Sequence, residues 1–289
     1  MWKVNLPSDT KALDQVKTAL TYQDKTAKYS LTADEYVALG KIYKRYHALG
    51  GIAHDDLKGD GFSDATKAAI YNAYSEIQEA GRLKDLRSSL LLSTNYCPCC
   101  GILPADELDH HLPRSVYNLL ALYSRNLVPL CHKCNNKKRT VTGINPAERF
   151  IHVYYDEIPH DVQFFRMQHS IINDALSFRF YIADIPELSE QLKVQMTFQI
   201  GRVKLNVRLK KEVNTFLSSF AVGLKMVYDV KKDAEAVKKF MLQNAALFKR
   251  NFGLNDWRTV TLLTLGNCPQ FCSGGFVSIL AIDQIPDIS

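Results

Sequence analysis

Two Cys-x-x-Cys pairs, Cys97/Cys100 and Cys131/Cys134, stand thirty residues apart in this chain. Each pair offers two thiolates from one tight bend, and two such bends supply the four soft corners that a tetrahedral zinc ion takes. The spacing predicts a structural Zn²⁺ on Cys97, Cys100, Cys131 and Cys134, closed to substrate and clamping together the two ends of the insert. Cys99 is an alternative ligand in principle, but the 97/100 register leaves Gly101 to complete the turn.

A disulfide framework is not needed. At 289 residues, with 46% apolar and 23% charged side chains, the chain can bury a core without crosslinks and is expected to fold throughout. Seven cysteines, four of them in metal spacing, suit a reducing compartment. MWKVNLPSDTKALDQ has no signal-like apolar segment and no run of eighteen apolar residues occurs, so a cytoplasmic protein that does not engage a membrane is expected. The formal charge is +6, and ten Lys or Arg against five Asp or Glu fall between Arg82 and Phe150, around the cysteines. That placement points to a polyanionic partner.

Residues 1–90 read as a helical region. Thr32 and Glu35 have capping-box spacing, and Tyr36, Leu39, Ile42, Tyr43 and Tyr46 recur at helical intervals before Gly50-Gly51. These tyrosines are expected in the core rather than on a base-stacking surface. A second helix starts near Ser63 and stops by Gly81. The intervening HDDLKGDGFSD lacks the register and closing Glu of a calcium loop and reads as a solvated turn. After residue 150, Ile151–Tyr155 and Ser177–Ile185 carry strand composition, and helical patterns follow from Pro186 with a stop at Gly253. The fold class expected is α+β: a mainly helical chain with a central metal module (91–150) and a small additional β element in a C-terminal region, 151–289.

Leu108-Asp109-His110-His111-Leu112-Pro113 places a carboxylate and two imidazoles inside an apolar frame, a costly arrangement without a use for the polar groups. With it, LDHHLPRS and RNLVPLCHKCNNKK resemble the HNH nuclease family over about 45 of the 289 residues. The resemblance implies a ββα-metal module, a β-hairpin and a helix around one catalytic divalent cation. It implies that Asp109 ligates the cation, that His110 is the general base, and that Asn126 braces the loop orienting the base. Asn135 takes the place of the final His as second protein ligand, an H-N-N form. His111 stands where the family has an aliphatic residue and receives no catalytic role, and His132 is expected to contact phosphate or water rather than to ligate.

The residue types suit the chemistry. A neutral imidazole can take a proton from water near pH 7, and oxygen ligands suit Mg²⁺ or Mn²⁺, which would neutralise charge on the leaving oxygen. Arg114, Lys137, Lys138 and Arg139 are candidate phosphate contacts, with double-stranded DNA the implied substrate. The stretch NDWRTVTLLTLGNCPQFCSGGF is also similar to C-terminal regions attached to HNH nucleases in bacterial antiviral operons, which implies a defence role and a protein partner such as an ATPase. Cys268 and Cys272 read as buried small residues, and Lys210, Lys211, Lys225, Lys231 and Lys232 as a solvated helical face. Two alternatives stay open: a non-catalytic zinc ribbon that binds nucleic acid, and a nuclease effector silent until an ATPase or a ligand activates it.

Overall fold

Capping chemistry opens the N-terminal helices where the sequence places it. A computed structural model of the protein describes residues 1–230 and 232–282; Lys231 and residues 283–289 of the C-terminal region lie outside the described residues. Helix α1 (Ala12–Ala19) buries Ala12, Val16 and Ala19. Helix α2 (Ala33–Ala48) begins at the Thr32/Glu35 capping box, both of whose hydrogen bonds form, and buries Leu39, Ile42, Tyr43 and Tyr46. It stops at Gly50 and Gly51, at φ +59° and +76°. Ser63 caps α3 (Asp64–Asn72), which tightens into a 3₁₀ turn over Ala73–Ile77, and α4 (Lys84–Leu91) follows.

The central stretch then folds in the order strand, strand, helix. Strand β1 (Glu107–His110) pairs antiparallel with β2 (Leu127–Leu130), Asp109 opposite Val128 and His110 opposite Leu127. Cys131 is the single residue between β2 and helix α5 (His132–Lys138). Leu108, Leu112, Tyr117, Leu119 and Leu120 share one buried cluster with Leu39, Tyr43, Tyr46 and Ile70. Each such fully buried side chain contributes roughly 1.5–3 kcal/mol. Tyr43 and Tyr123 stack at 4.2 Å inside this cluster, so the tyrosines of α2 are core residues.

Rather than dividing near residues 90 and 150, the chain forms two compact units, 1–158 with 194–203 and 159–193 with 204–289. In the first, the N-terminal helices and the central hairpin have no separate cores to divide. Residues 151–155 turn instead of forming the expected strand. The Ile151 amide donates to the Gln199 side chain, the His152 amide to Asp156, and Tyr155 N–H to His152 O, so these three donors are taken by side chains and a turn rather than by a neighbouring strand.

In the second unit β3 (Phe165–Ile172) and β4 (Ala175–Ile182) make a hairpin closed by Asn173-Asp174, both at positive φ. The expected strand over Ser177–Ile185 is β4, shifted by two or three residues at each end. Helix α6 (Glu190–Arg202) contributes its last turns to the first unit. Helices α7 (Leu205–Ser218), α8 (Ala221–Asp229), α9 (Ala234–Phe252), α10 (Trp257–Gly266) and α11 (Phe276–Ile279) complete the second. Asn255 ties the start of β3 by accepting from Phe164 and Phe165 N–H. The described residues thus make an α+β chain of eleven α-helices and two small antiparallel sheets, and no helix among them is long and apolar enough to cross a membrane.

Candidate functional site

The four cysteines of the two pairs converge. Their sulfur atoms all lie within 4.8 Å of one another and all four residues are buried. Cys100 Sγ and Cys131 Sγ are 3.8 Å apart, the edge expected of a tetrahedron with metal–sulfur bonds of roughly 2.3 Å. Gly101, at φ +66°, completes the first bend by donating to Cys97 O, and Asn135 N–H donates to Cys131 O in the second. These residues can hold a metal ion such as zinc. Cys99 is buried too but falls outside the converging set, and Cys272 is buried in the other unit. Among the described residues no other three His, Cys, Asp or Glu side chains converge in this way, the Asp55–Asp64 loop included.

Beside this cluster lies a cleft of about 540 Å³, lined by Glu107, Asp109 and His110 of β1, by Pro113 and Arg114, by Asn135 and Arg139, and by Tyr71, Tyr74, Gln78 and Arg87 of the N-terminal helices. Asp109, His110 and Asn135 therefore open on one space.

His110 is held on two sides. Its Nε2 lies 3.0 Å from Ala121 O, and Tyr74 meets the ring edge-on at 4.5 Å. A carbonyl oxygen only accepts, so Nε2 carries the proton and Nδ1 keeps its lone pair. Burial pushes this imidazole down to about 3, with Arg114 and Lys138 adding to the shift, so it is neutral at physiological pH.

Asn126 is fully buried and uses its whole amide. Oδ1 accepts from Leu112 N–H at 2.8 Å and from Tyr46 OH at 3.0 Å, while Nδ2 donates to Leu112 O and Leu120 O. The loop from Leu112 to Ala121, which supplies the carbonyl under His110, is thereby tied to β2 and to α2. His111 points away from the cleft into the core, where its ring lies 3.9 Å from that of His152. His152 in turn meets Tyr46 OH at 2.9 Å. Burial holds both imidazoles well below their ordinary value.

Asp109 is 5% exposed and lies 2.8 Å from Lys138 Nζ. The two side chains form a buried ion pair through Asp109 Oδ2. Burial holds this carboxyl above its ordinary value, against the pull of Lys138. Lys138 itself is 2% exposed and donates to His110 O. It is therefore not placed as the expected phosphate contact, because it shares the inward face of α5 with Cys134, one helical turn earlier.

The remaining basic positions differ among themselves. Arg114 packs its guanidinium over Tyr71 and Tyr74 at 4.4 and 4.7 Å and borders the cleft; Arg139 lines it and is exposed, as is Lys137. His132 does not join the metal cluster; its Nδ1 lies 2.7 Å from Glu107 Oε1, and the side chain is 67% exposed, so the rest of the ring is open to water. Glu107 also accepts from Asn135 Nδ2 at 2.7 Å. Glu107, Tyr46, Tyr74 and His152 escaped sequence reasoning. For Glu107 a signal existed, since it shares a strand face with Asp109 two residues on; the others act across tens of residues and left none.

Protein ea31 of Escherichia phage lambda is similar to this chain. The two are 26% identical over 201 residues, which cover 64% of this chain and 66% of that protein, just under two thirds of its length. No family model and no solved structure matches.

Proposed function

We propose that the chain is a metal-dependent endonuclease of the HNH type that hydrolyses phosphodiester bonds in double-stranded DNA. The observation carrying this reading is that Asp109, His110 and Asn135 open on one cleft from a strand–strand–helix unit. A zinc ribbon that only bound nucleic acid would give these three side chains no reason to share a space.

His110 is the general base in this reading. Its Nδ1 takes a proton from the attacking water, and Ala121 O, accepting from Nε2–H, supports the imidazolium that forms. Asn126 keeps that carbonyl in place through Leu120 and Leu112. A bound Mg²⁺ or Mn²⁺ would stabilise negative charge on the leaving oxygen. Asp109 and Asn135 would hold it, and the donor set fits: the Asp109 carboxylate is a hard anionic ligand that already faces one cation, the Lys138 ammonium 2.8 Å away, which the metal would displace. Arg114 and Arg139, at the cleft, and Lys137 outside it would contact flanking phosphates. Cleavage leaves 5′-phosphate and 3′-hydroxyl ends. The four cysteines hold a structural Zn²⁺ that fixes α5, and hence Asn135, against the hairpin.

One observation favours a controlled form of this enzyme, a defence nuclease silent until a partner ATPase or a ligand acts. In the chain alone Asp109 is engaged by Lys138. Both forms are tested with supercoiled plasmid and Mg²⁺ or Mn²⁺. Nicking by the parent and not by His110→Ala supports an enzyme active alone, and nicking only after a gene neighbour's product is added supports the controlled one.

A further inference from the structure

Glu107 sits at the junction of β1 and α5 and makes two short hydrogen bonds there. Its Oε2 is 2.7 Å from Asn135 Nδ2 and its Oε1 is 2.7 Å from His132 Nδ1. The neighbouring Asp106 accepts from His132 N–H at 2.9 Å, so this corner of the hairpin grips the first turn of α5 at three points. The Glu107 side chain is about one-third exposed and borders the same cleft as Asp109 and His110.

A carboxylate can only accept, so the group of Asn135 that faces Glu107 must be its NH₂. An amide free to rotate by half a turn would present either its oxygen or its nitrogen to a cation, and only the oxygen ligates a hard ion. Glu107 removes that ambiguity. With Nδ2 committed, Oδ1 is the end left over for the cleft. His132 holds the other carboxylate oxygen, so Glu107 itself is fixed.

We infer that Glu107 is a positioning residue that orients the Asn135 amide, with its oxygen as the cation ligand, and that His132 steadies Glu107 in that task. The inference rests on the nuclease reading. It assigns to Glu107 no contact with the cation. Its role is one that a glutamine in its place can fill, accepting from Asn135 Nδ2 through the side-chain carbonyl and donating to a neutral His132 Nδ1 through the amide.

The test is a Mn²⁺ titration of plasmid nicking and of Mn²⁺ binding by electron paramagnetic resonance. Parent, Glu107→Ala and Glu107→Gln are compared, each with its zinc content and thermal melt. Loss of such an orienting partner costs about 10–100-fold in metal affinity. Glu107→Ala is expected to need at least about tenfold more Mn²⁺ for half-maximal nicking and binding, with zinc retained, while Glu107→Gln stays within about threefold of the parent. A Glu107→Ala protein that matches the parent overturns the inference and leaves the nuclease reading standing. Equal losses in Glu107→Gln and Glu107→Ala also overturn it, because the charge would then be needed for direct ligation. A parent that neither nicks nor binds Mn²⁺, alone and with the gene neighbour's product added, overturns the nuclease reading, and the inference with it. Should Glu107→Ala lose its zinc, His132→Ala carries the test, with a rise of a few-fold expected and an unchanged requirement overturning the proposal.

Discussion

Lys138 Nζ lies 2.8 Å from Asp109 Oδ2 with both side chains almost wholly buried, 2% and 6% exposed. A lysine and an aspartate withdrawn from water together are expensive to separate, because the survivor is left as an uncompensated buried charge. Lys138→Met should therefore destabilise the protein by about 3–5 kcal/mol. Adding Asp109→Asn should restore a large part of that loss, since the stranded charge is gone. Urea unfolding of the two single variants and the double variant checks this. Additive losses would contradict the ion pair.

The two metals of the reading should separate by mutation. Cys134→Ser removes one corner of the sulfur tetrahedron and loosens α5, so zinc and nicking should fall together. His110→Ala touches no cysteine and should keep its zinc while losing nicking. Zinc content by mass spectrometry under native conditions, measured beside the nicking rate, decides the matter; equal zinc loss in both variants would undo the division.

The adjacent buried imidazoles of His111 and His152, 3.9 Å apart, give the first unit an acid limit. Burial holds both neutral in the folded chain, whereas in the unfolded chain each protonates near its ordinary value of about 6.5. Below that pH the unfolded state binds protons that the folded state refuses. Stability is therefore complete above about pH 6.5 and falls as the pH drops beneath it, by up to about 1.4 kcal/mol per pH unit for each imidazole. Denaturation midpoints at pH 7.5, 6.0 and 5.0 should decline in the parent and decline less steeply in His152→Gln. Identical slopes would contradict the assignment.

Gly51 shows how closely α2 approaches this network. At φ +76°, a Cβ placed there would come within 2.2 Å of His152 Cδ2 and 3.1 Å of Tyr46 OH. Gly51→Ala should cost about 2–4 kcal/mol through the combined backbone strain and overlap. The nicking rate should fall as well, because the Tyr46 hydroxyl bonds Asn126. A thermal melt equal to the parent's would show that His152 can move aside.

What could be read in the sequence was chemistry confined to a few neighbouring residues. The capping box of Thr32 and Glu35, the Ser63 cap, the Gly253 stop and the converging cysteine pairs all depend on short spacings, and all appear in the structure. Lys138 was misread because the run Lys137-Lys138-Arg139 looks uniformly basic. Helical phase relative to Cys134 sends only the middle residue inward. Residues 151–155 have strand composition, yet Gln199 and Asp156 take up the amides of Ile151 and His152. The support of Asn126 by Tyr46 joins residues eighty positions apart, and no local pattern marks such a pair.

The most direct measurement is the nicking rate of supercoiled plasmid by the parent and by His110→Ala, with Mg²⁺ or Mn²⁺, on protein whose zinc content is known. Nicking is predicted for the parent alone or with its partner, lowered by about 10²–10⁴-fold in the variant, with the same zinc content in both. Absence of nicking by the parent with either ion and with the partner, or an equal rate in His110→Ala, would contradict it.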